Sequence, residues 1–452
     1  MHQMWRLGGG QNRKSYQIFI IILASFIFYA YNTPILLLLL IFSAFLNAIT
    51  SYVVFITSQE HLRRFYAFLG VFLNLAILCV FKYSPFFGET LSFLRSDISA
   101  FLVAIPLPIG ISFYTFQGIS LVLDLYKDSN AKYVESSLYN HCKNVVFFIG
   151  FFPALIAGPI LKAHSFLPQI TAKNFKDIDF LGAFKILVLG YFLKNVIADN
   201  LKDQTFWLTY PYFLSYDSAS LAILLFGYSV QIFADFAGYS LIAIGVAKLF
   251  GYNLPTNFNF PYISSTFSEF WKRWHISLSS WLKEYLYIPL GGNKKGRIRT
   301  YINLFIVMVL GGFWHGAATS YIIWGIYHGI LLILERILSV KCKFYTSDFM
   351  KIPRIIFVFC AVSIGWLLFC LNDFNHAILF IAKFFANEGE FMRMVALCIG
   401  IYAVCIFLYY ANYLYRIKYS KNILDNDAVW AVMLFLIITN SGSSDAFIYF
   451  QF

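Results

Sequence analysis

Long apolar runs follow one another along nearly the whole chain, separated by short polar stretches. A helix needs about 20 apolar residues to cross the hydrocarbon core of a bilayer. Several runs are shorter or longer than a simple crossing, so we expect about 11 transmembrane helices, within two, plus re-entrant or interfacial helices. The predicted spans are residues 17–31, 34–57, 65–82, 99–122, 143–161, 180–198, 219–250, 301–313, 319–339, 353–371, 375–386, 393–411 and 427–440.

Two of the predicted spans contain helix-breaking residues. "IPLPIGISFYTFQGIS" (105–120) carries Pro106, Pro108 and Gly110, and "FFPALIAGPILK" (151–162) carries Pro153 and Pro159. Broken backbone at membrane depth is tolerated only where protein or a water-filled cavity satisfies its polar groups. The breaks therefore indicate either an internal cavity or kinked helix packing, and the sequence favours neither.

A third segment, residues 262–299, combines helical periodicity with charge. Ser268 and Glu269 lie where a helix could begin, and apolar residues recur behind them at i+3, i+4 and i+7 spacing. The pattern predicts an amphipathic helix whose aromatic face lies in the membrane interface. Its apolar positions are Trp271, Trp274, Leu278, Trp281 and Leu282, with Lys272, Arg273, Lys283 and Glu284 between them. A turn follows, and then the strongest basic loop, "NKKGRIR" (293–299).

The composition agrees with a membrane protein. Hydrophobic residues make up 60% of the chain and charged residues 12%, whereas soluble domains average about 45–50% and about 25%. We predict a single all-α, polytopic membrane domain over residues 1–452. Its parts would be N-terminal spans in 17–82, a core in 99–340, C-terminal spans in 353–440 and a C-terminal motif at 447–452.

The net charge of +12 does not indicate a nucleic-acid partner, because the basic residues lie in short loops between spans. In such loops lysine and arginine mark the cytoplasmic side, so the segment 262–299 is expected there. The seven cysteines form no C-x-x-C pair, which predicts neither a disulfide framework nor a zinc site.

Eight histidines are present, and three of them are candidates for chemistry. His2, His61 and His141 stand beside basic or polar residues and are expected to be solvated; His164 and His376 are expected at an interface and in a loop. His275, His315 and His328 remain. Ionisable side chains inside membrane spans are costly and often mark function, although a buried packing residue is the open alternative.

Spacing limits how His315 and His328 can cooperate. In one continuous helix their separation corresponds to about 20 Å of rise, so they could share a site only if the helix broke at Gly316 or Gly325. We therefore expect one catalytic and one supporting histidine. The H-E-x-x-H pattern of metal sites is absent, so no metal is predicted.

A buried histidine is held neutral by desolvation and can accept a proton from a hydroxyl that attacks an acyl carbon. The chain lacks the G-x-S-x-G element of hydrolases. The residues by themselves therefore predict acylation or deacylation of a hydroxyl inside a membrane bundle.

Several long motifs resemble the membrane-bound O-acyltransferase family. They are "SEFWKRWHISLSSWLKEYLYIPLGGNK", "LGGFWHGAATSYIIWGIYHG", "LPIGISFYTFQGIS", "FFPALIAGPI", "QIFADFAGYSLIAIG" and "NFNFPYIS". The resemblance is strongest to the bacterial branch that acetylates alginate or peptidoglycan, with teichoic-acid D-alanylation more distant. It covers roughly residues 20–340 and the extreme C-terminus.

This resemblance implies a ring of helices around a funnel, in the bacterial inner membrane. It implies that His315 in "FWHG" is the catalytic base and that His275 in "RWHISLS" is the second functional histidine. Acetyl-CoA would be the acyl donor, and no cofactor is expected to be bound. Supporting residues would be His328, Trp314 and Asp235, the last paired or lining the cavity, while Arg273 and Lys283 are candidates for the donor phosphates by charge.

The chain closes with "FIYFQF", which is either a hydrophobic anchor or an acyl carrier. Tail motifs of the form F-x-Y-F-x-F close proteins of several such acylation systems, and Phe447, Tyr449, Phe450 and Phe452 match them. The resemblance thus implies that the Tyr449 hydroxyl receives the acyl group. An extracytoplasmic, esterase-like (SGNH) partner would then pass it to a polysaccharide.

Two rival functions stay open. The chain could be a non-catalytic transporter or scaffold for a lipid or glycan, or an acyltransferase acting on lipid or protein. Within the leading hypothesis the sequence does not distinguish peptidoglycan from an alginate-like acceptor. Membrane lipids are also expected to contact the protein, and the sequence does not give its oligomeric state.

Overall fold

The computed structural model describes residues 10–31, 33–90, 96–156, 158–316, 318–342 and 347–442. These residues are almost entirely helical, and their only β-type pairing is an isolated bridge between Tyr216 and Glu390. The protein is an all-α, multi-pass membrane protein, as the apolar runs predict.

Within the described ranges, nine helices are long and apolar enough to cross a membrane: Asn12–Ala30, Pro34–Ile56, Glu60–Gly88, Phe180–Leu208, Ser218–Leu249, Gly296–His315, Thr319–Lys341, Asp348–Cys370 and Arg393–Tyr419. Two shorter apolar helices, Phe374–Ala386 and Asp427–Thr439, accompany them. The total falls in the expected range. Most predicted spans coincide with a helix to within a few residues, because the length of each apolar run sets the length of its helix.

Contacts divide the chain into two compact units. The N-terminal unit comprises Met1–Ala183 and Ala243–Pro255, and the C-terminal unit comprises Phe184–Ile242 and Thr256–Phe452. The helices of the N-terminal unit are α1 (Gly10–Ala30), α2 (Pro34–Ile56), α3 (Glu60–Thr90), α4 (Ser96–Val103), α5 (Ile111–Lys127), α6 (Leu138–Gly150), α7 (Phe152–Leu155) and α8 (Ala163–Phe166).

Both proline-rich runs are broken where the sequence predicts. The first break separates α4 from α5 and ends at Gly110, whose φ is 77°. A Cβ atom on Gly110 would lie 2.3 Å from the carbonyl oxygen of Leu155, so only glycine allows this approach. The second break lies at Phe151, between α6 and α7. The two broken segments therefore meet backbone to backbone.

A cavity of about 310 Å³ borders both breaks. Its lining is mainly apolar: Ile27, Phe28, Tyr29, Tyr31, Thr33, Leu36, Ile109 and Ile156. Tyr29 donates a hydrogen bond from its hydroxyl to the carbonyl oxygen of Ile109 (3.0 Å). The broken backbone thus packs against protein, as one alternative predicts. The pocket beside it opens at the surface, where Ile27, Phe28 and Tyr31 are exposed, so it does not supply the internal cavity of the other alternative.

The expectation that His141 is solvated is wrong. Its side chain is 2% exposed, and its Nε2 lies 2.9 Å from the Ser51 hydroxyl on α2. Helix α6 begins at Leu138 and turns His141 inward, although polar residues flank it in sequence. Burial lowers the pKa of His141 to about 4. His164 is half-exposed, and its Nδ1 lies 2.8 Å from a carboxylate oxygen of Asp124.

The helices that follow, up to the end of the described chain, belong to the C-terminal unit except for the first residues of α9 and the last residues of α11. They are α9 (Phe180–Tyr191), a π-helical segment (Phe192–Ala198), α10 (Asp199–Thr205), α11 (Ser218–Leu249), α12 (Phe267–Arg273), α13 (Ile276–Leu282), a second π-helical segment (Lys283–Tyr287), α14 (Gly296–His315), α15 (Thr319–Lys341), α16 (Lys351–Cys370), α17 (Phe374–Ala386), α18 (Arg393–Tyr419) and α19 (Asp427–Thr439).

Helix α11 packs closely against the end of α9 and the π-helical segment that follows it. A Cβ on Gly238 would lie 2.8 Å from both the carbonyl oxygen of Gly190 and the backbone nitrogen of Lys194. Small residues permit such close helix crossings in membranes. This crossing places the polar residues of α11 against the charged residues at 194–199.

Candidate functional site

His315 is the last residue of α14, and two glycines fix its position. A Cβ on Gly312 would lie 2.3 Å from the carbonyl oxygen of Tyr321, and a Cβ on Gly325 would lie 2.5 Å from that of Met308. Only glycine fits at both places, so α14 and α15 form a hairpin with their backbones in near contact.

The helix is interrupted at Gly316. Helix α14 ends there, and the extended backbone of Gly316 separates it from α15. This is one of the two breaks that the spacing argument required for His315 and His328 to approach each other. Both imidazoles contact the same indole: the ring centroids of His315 and Trp324 are 5.2 Å apart, and those of Trp324 and His328 are 4.7 Å apart.

The three candidate histidines differ in access. His315 keeps 7% of its surface exposed, His275 1% and His328 none. His315 is enclosed by the rings of Trp314, Trp324 and Phe369, at centroid distances of 5.1, 5.2 and 5.0 Å. Of the three, His315 has the side chain that a reactant could reach most directly.

His328 is packed rather than accessible. Neither of its ring nitrogens has a hydrogen-bond partner among the described residues, and a Cβ on Gly365 would lie 2.7 Å from Nε2. The ring also contacts Trp271 at 5.2 Å. Charging such an imidazole is costly, which suits the supporting role expected from the sequence.

The predicted continuous amphipathic helix is wrong. Helix α12 ends at Arg273 and α13 begins at Ile276, and His275 between them is left-handed, with φ 43° and ψ 55°. Left-handed geometry is uncommon for a residue with a Cβ and often occurs at functional sites. Trp274, Leu278 and Trp281 are buried, and the rings of Trp274 and Trp366 are 4.6 Å apart. The aromatic face therefore packs inside the protein, not in the membrane interface.

The start of α12 is held by two sets of hydrogen bonds. At its start the Thr266 side chain accepts a hydrogen bond from the backbone N–H of Glu269, and the carboxylate of Glu335 on α15 accepts from those of Phe267 and Ser268. A carboxylate at a helix N-terminus is favourable. Glu335 thus fastens the segment that carries His275 to the helix that carries His328.

Asn257 holds the ring of His275. Its Oδ1 lies 3.1 Å from His275 Nδ1, and it accepts hydrogen bonds from the hydroxyl (2.8 Å) and the backbone N–H (3.2 Å) of Ser277. Its Nδ2 donates to the Ser240 hydroxyl (3.2 Å). The ring of Phe236 on α11 packs edge-on against the imidazole at 4.7 Å. Burial lowers the pKa of His275 to about 3, so its imidazole is neutral near pH 7.

The structure brings the predicted residues into one continuous row of rings. His275 and Trp314 lie 6.5 Å apart between ring centroids, and Trp314 and His315 lie 5.1 Å apart. The row continues through Trp324 to His328. Segments about 40 residues apart in sequence thus converge, with Trp314 between the two histidines that the motifs assign as functional.

Asp235 lies in α11, next to Phe236, and is 3% exposed. Its carboxylate is 2.8 Å from Lys194 Nζ, which also lies 2.5 Å from Asp199. Buried charges must be paired. Here Lys194 pairs with both Asp235 and Asp199, although all three lie in apolar stretches of the chain. This cluster anchors the face of α11 that carries Phe236.

The two residues predicted for the donor phosphates lie in different settings. Arg273 is engaged: it forms an ion pair with Glu269 (2.9 Å) and donates to the carbonyl oxygen of Asn259 (3.0 Å). Lys283 is exposed at the start of the second π-helical segment, and the basic loop 293–299 is exposed as well.

Tyr449 and the rest of 447–452 lie outside the described residues. The preceding chain is anchored. The backbone N–H of Gly442 donates to the carbonyl oxygen of Asn195 (2.9 Å), and Asn200 Nδ2 donates to that of Asn440 (3.0 Å). The last described residues therefore lie beside the 195–200 stretch that contains Asp199.

Sequence reasoning missed Asn257, Glu335, Lys194 and Asp199. The charged three stand inside apolar runs, and that isolation was a usable signal. Asn257 opens the motif "NFNFPYIS", but its contact with His275 could not be read from it, because that contact depends on a loop folding back onto a residue 18 positions later. Within the described ranges, no group of three or more His, Cys, Asp or Glu side chains is arranged to hold a metal.

Comparison with known proteins bears on the same residues. The family model of the membrane-bound O-acyltransferases matches residues 26–375. The chain is 38% identical over 307 residues to a probable alginate O-acetylase of Pseudomonas syringae pv. tomato, covering 67% of this chain and 57% of that protein. It is 35% identical over 381 residues to a peptidoglycan O-acetyltransferase of Helicobacter pylori, covering 79% and 72%.

A third relative is the teichoic acid D-alanyltransferase of Bacillus subtilis, 31% identical over 283 residues, with 59% of this chain and 70% of that protein covered. The alignments with the alginate O-acetylases of Pseudomonas syringae and Pseudomonas putida span only 57% and 62% of those proteins.

Proposed function

The chain belongs to the membrane-bound O-acyltransferase family, and from this premise we propose that it is an O-acyltransferase subunit. It moves an acetyl group from a cytoplasmic donor, acetyl-CoA, across the bacterial inner membrane for O-acetylation of a cell-surface polysaccharide. The motif resemblance to the family is confirmed by the match over residues 26–375. The relatives named for alginate and peptidoglycan O-acetylation support the choice of acetyl group and acceptor class.

One observation carries the proposal: His315 ends a helix at a break, is enclosed by aromatic rings, and is the most accessible of the three buried histidines of its unit. A neutral imidazole in this position can accept a proton from a hydroxyl as it attacks an acyl carbon. Exclusion of water by the surrounding rings also protects the reacting thioester from hydrolysis.

In the proposed reaction, the Tyr449 hydroxyl is the first acceptor of the acetyl group. His315 takes the phenolic proton while the phenolic oxygen forms a bond to the acyl carbon of the thioester. The carbon–sulfur bond then breaks, and the imidazolium returns the proton to the departing thiolate. The products are an acetyl-tyrosine ester and a free thiol. An extracytoplasmic, esterase-like partner then transfers the acetyl group to a sugar hydroxyl.

The geometry supports two further assignments. His275, held by Asn257, orients the donor, while Trp314 packs between it and His315. Lys283 is exposed and is the better placed of the two donor-phosphate candidates, since Arg273 is already bound to Glu269.

The proposal is tested by deleting the gene and measuring ester-linked acetate in purified wall material and exopolysaccharide by mass spectrometry. Loss from one fraction, restored by the wild-type gene, identifies the acceptor. An unchanged acetate content in both fractions, with altered acylation of lipid or protein, would overturn the polysaccharide assignment. A changed glycan export with normal acetylation would favour a transporter.

The carrier role of Tyr449 has its own measurement. Intact mass of the C-terminal peptide, from protein incubated with acetyl-CoA, should show one added acetyl group in the wild type and none in Tyr449→Phe. If Tyr449→Phe supports full polysaccharide acetylation, the tail is a hydrophobic anchor and the hydroxyl that attacks the thioester lies elsewhere.

A further inference from the structure

The hydrogen bonds around Asn257 determine which nitrogen of His275 carries the proton. A backbone N–H can only donate, and that of Ser277 points to one atom of the Asn257 amide at 3.2 Å. That atom must therefore be the oxygen. The other amide atom, which is then the NH₂ group, donates to Ser240 at 3.2 Å. The orientation of the amide is thus fixed by its partners.

The same oxygen lies 3.1 Å from His275 Nδ1. Since an amide oxygen only accepts, Nδ1 must be the protonated nitrogen, and a neutral imidazole then has an unprotonated Nε2. His275 therefore offers its reactants a hydrogen-bond acceptor and no donor.

The partner is an amide and not a carboxylate, and this bears on the role of the ring. A neighbouring carboxylate stabilises an imidazolium by its charge, whereas a neutral amide oxygen does not. Asn257 has no charge to offer, and it is itself buried, with 1% of its surface exposed. Of the charged groups on the adjacent elements, Asp235 is paired with Lys194, and Arg273 with Glu269.

The backbone also fixes the ring. His275 occupies the left-handed region between two short helices, and the N–H of the next residue, Ile276, donates to the carbonyl oxygen of Asn257 (2.9 Å). Both the side chain and the main chain of Asn257 therefore hold the same turn. This rigidity suits a group that positions a reactant.

We propose that His275 is a neutral hydrogen-bond acceptor for an amide N–H of the acyl donor, held in its Nδ1-protonated tautomer by Asn257. His275 does not carry the transferred proton. Secondary amides of a pantetheine thioester supply N–H groups of the required kind. This inference rests on the proposed acyltransferase function and assigns Asn257 as a positioning residue for it.

The test uses the full-length protein in nanodiscs, with acetyl-CoA as donor and thiol release as the measurement. Asn257→Ala should lower kcat/KM by about 2- to 10-fold, which corresponds to one lost hydrogen bond, mainly through KM for acetyl-CoA. His275→Gln places an amide oxygen near the position of Nε2 and should keep most of the activity, whereas His275→Ala should lower it as Asn257→Ala does.

The pH dependence of activity in Asn257→Asp distinguishes a positioning role of Asn257 from a purely structural one. The carboxylate keeps the acceptor oxygen but favours the imidazolium, whose Nε2 donates instead of accepting. Activity of this variant should therefore be lost on acidification, and the loss should begin at a higher pH than in the wild type. Activity should recover in alkaline buffer.

Three outcomes decide the question. His275→Gln as inactive as His275→Ala would show that His275 transfers a proton, and wild-type kinetics in Asn257→Ala would show that the amide positions nothing; either result overturns the inference. An active His315→Ala variant would instead overturn the proposed function. Thermal unfolding of each variant, matched to the wild type, excludes misfolding as the cause.

Discussion

At the scale of single residues, the row of rings from His275 to His328 places three imidazoles in three settings. His315 lies at a helix end with some exposure, His275 is held by an amide, and His328 is enclosed by Trp271, Trp324 and Gly365. Residue type alone does not distinguish these roles, because the surroundings decide which ring can exchange a proton.

The packing of His328 against Gly365 gives a stability prediction. Gly365→Ala places a Cβ 2.7 Å from His328 Nε2, and such overpacking typically costs about 1–3 kcal/mol. Thermal unfolding of the purified protein should therefore begin at a lower temperature. The matched control is Gly400→Ala on α18, where no atom lies within 4 Å of the new Cβ; it should leave stability equal or slightly raised. Equal midpoints for both variants would contradict the packing.

His141 predicts a pH dependence of stability. Its pKa is about 4 in the folded protein against about 6.5 when unfolded, so between these values the unfolded chain binds more protons. Stability should therefore fall as pH decreases from about 6.5 to about 4, by at most about 3 kcal/mol from this residue.

The measurement is the unfolding midpoint across that pH range for the wild type and for His141→Gln, which has no proton to take up. The variant should show a shallower decline, while His61→Gln, at an exposed position, should follow the wild type. Parallel curves for the wild type and His141→Gln would show that His141 is not buried as described.

At the scale of elements, the positions of most long helices are predictable from the lengths of the apolar runs. The positions at which helices break are harder to predict. Helices α2, α11 and α15 begin and end within a residue or two of their predicted spans. The break at Gly110 was signalled by proline and glycine. The break at His275 was not, because the i+3, i+4 periodicity continues through it and only the contacts of Asn257 and Trp366 reveal the turn.

The crossing of α11 with the 194–199 segment predicts unequal effects of breaking a buried and an exposed ion pair. Lys194→Met removes the cation that Asp235 and Asp199 share, and leaving buried charges without their partner costs about 3–5 kcal/mol. Asp179→Asn breaks the exposed pair with Lys248, where the loss is about 0–1 kcal/mol. Unfolding midpoints of the two variants in the same detergent should differ clearly; equal shifts would count against a buried ionic anchor.

At the scale of the whole molecule, charge and length together give an orientation. The exposed basic stretch 293–299 runs into the first turn of α14, and His315 ends this helix, which is about 30 Å long. If the basic loop faces the cytoplasm, His315 lies towards the opposite end of this helix, where a hydroxyl from the outer side could approach. The candidate site itself was only partly predictable, since the motifs identify the histidines but not their hydrogen-bond partners.

The most direct test of the account compares His315→Ala with the wild type in a strain that lacks the chromosomal gene. Polysaccharide-bound acetate is measured at matched membrane abundance of the protein, with His61→Ala as control. Because a general base contributes about 10²- to 10⁴-fold, we expect acetate to fall to near the level of the deletion strain in His315→Ala and to stay normal in the control. Acetate that instead follows the amount of His315→Ala protein would contradict a catalytic role for His315.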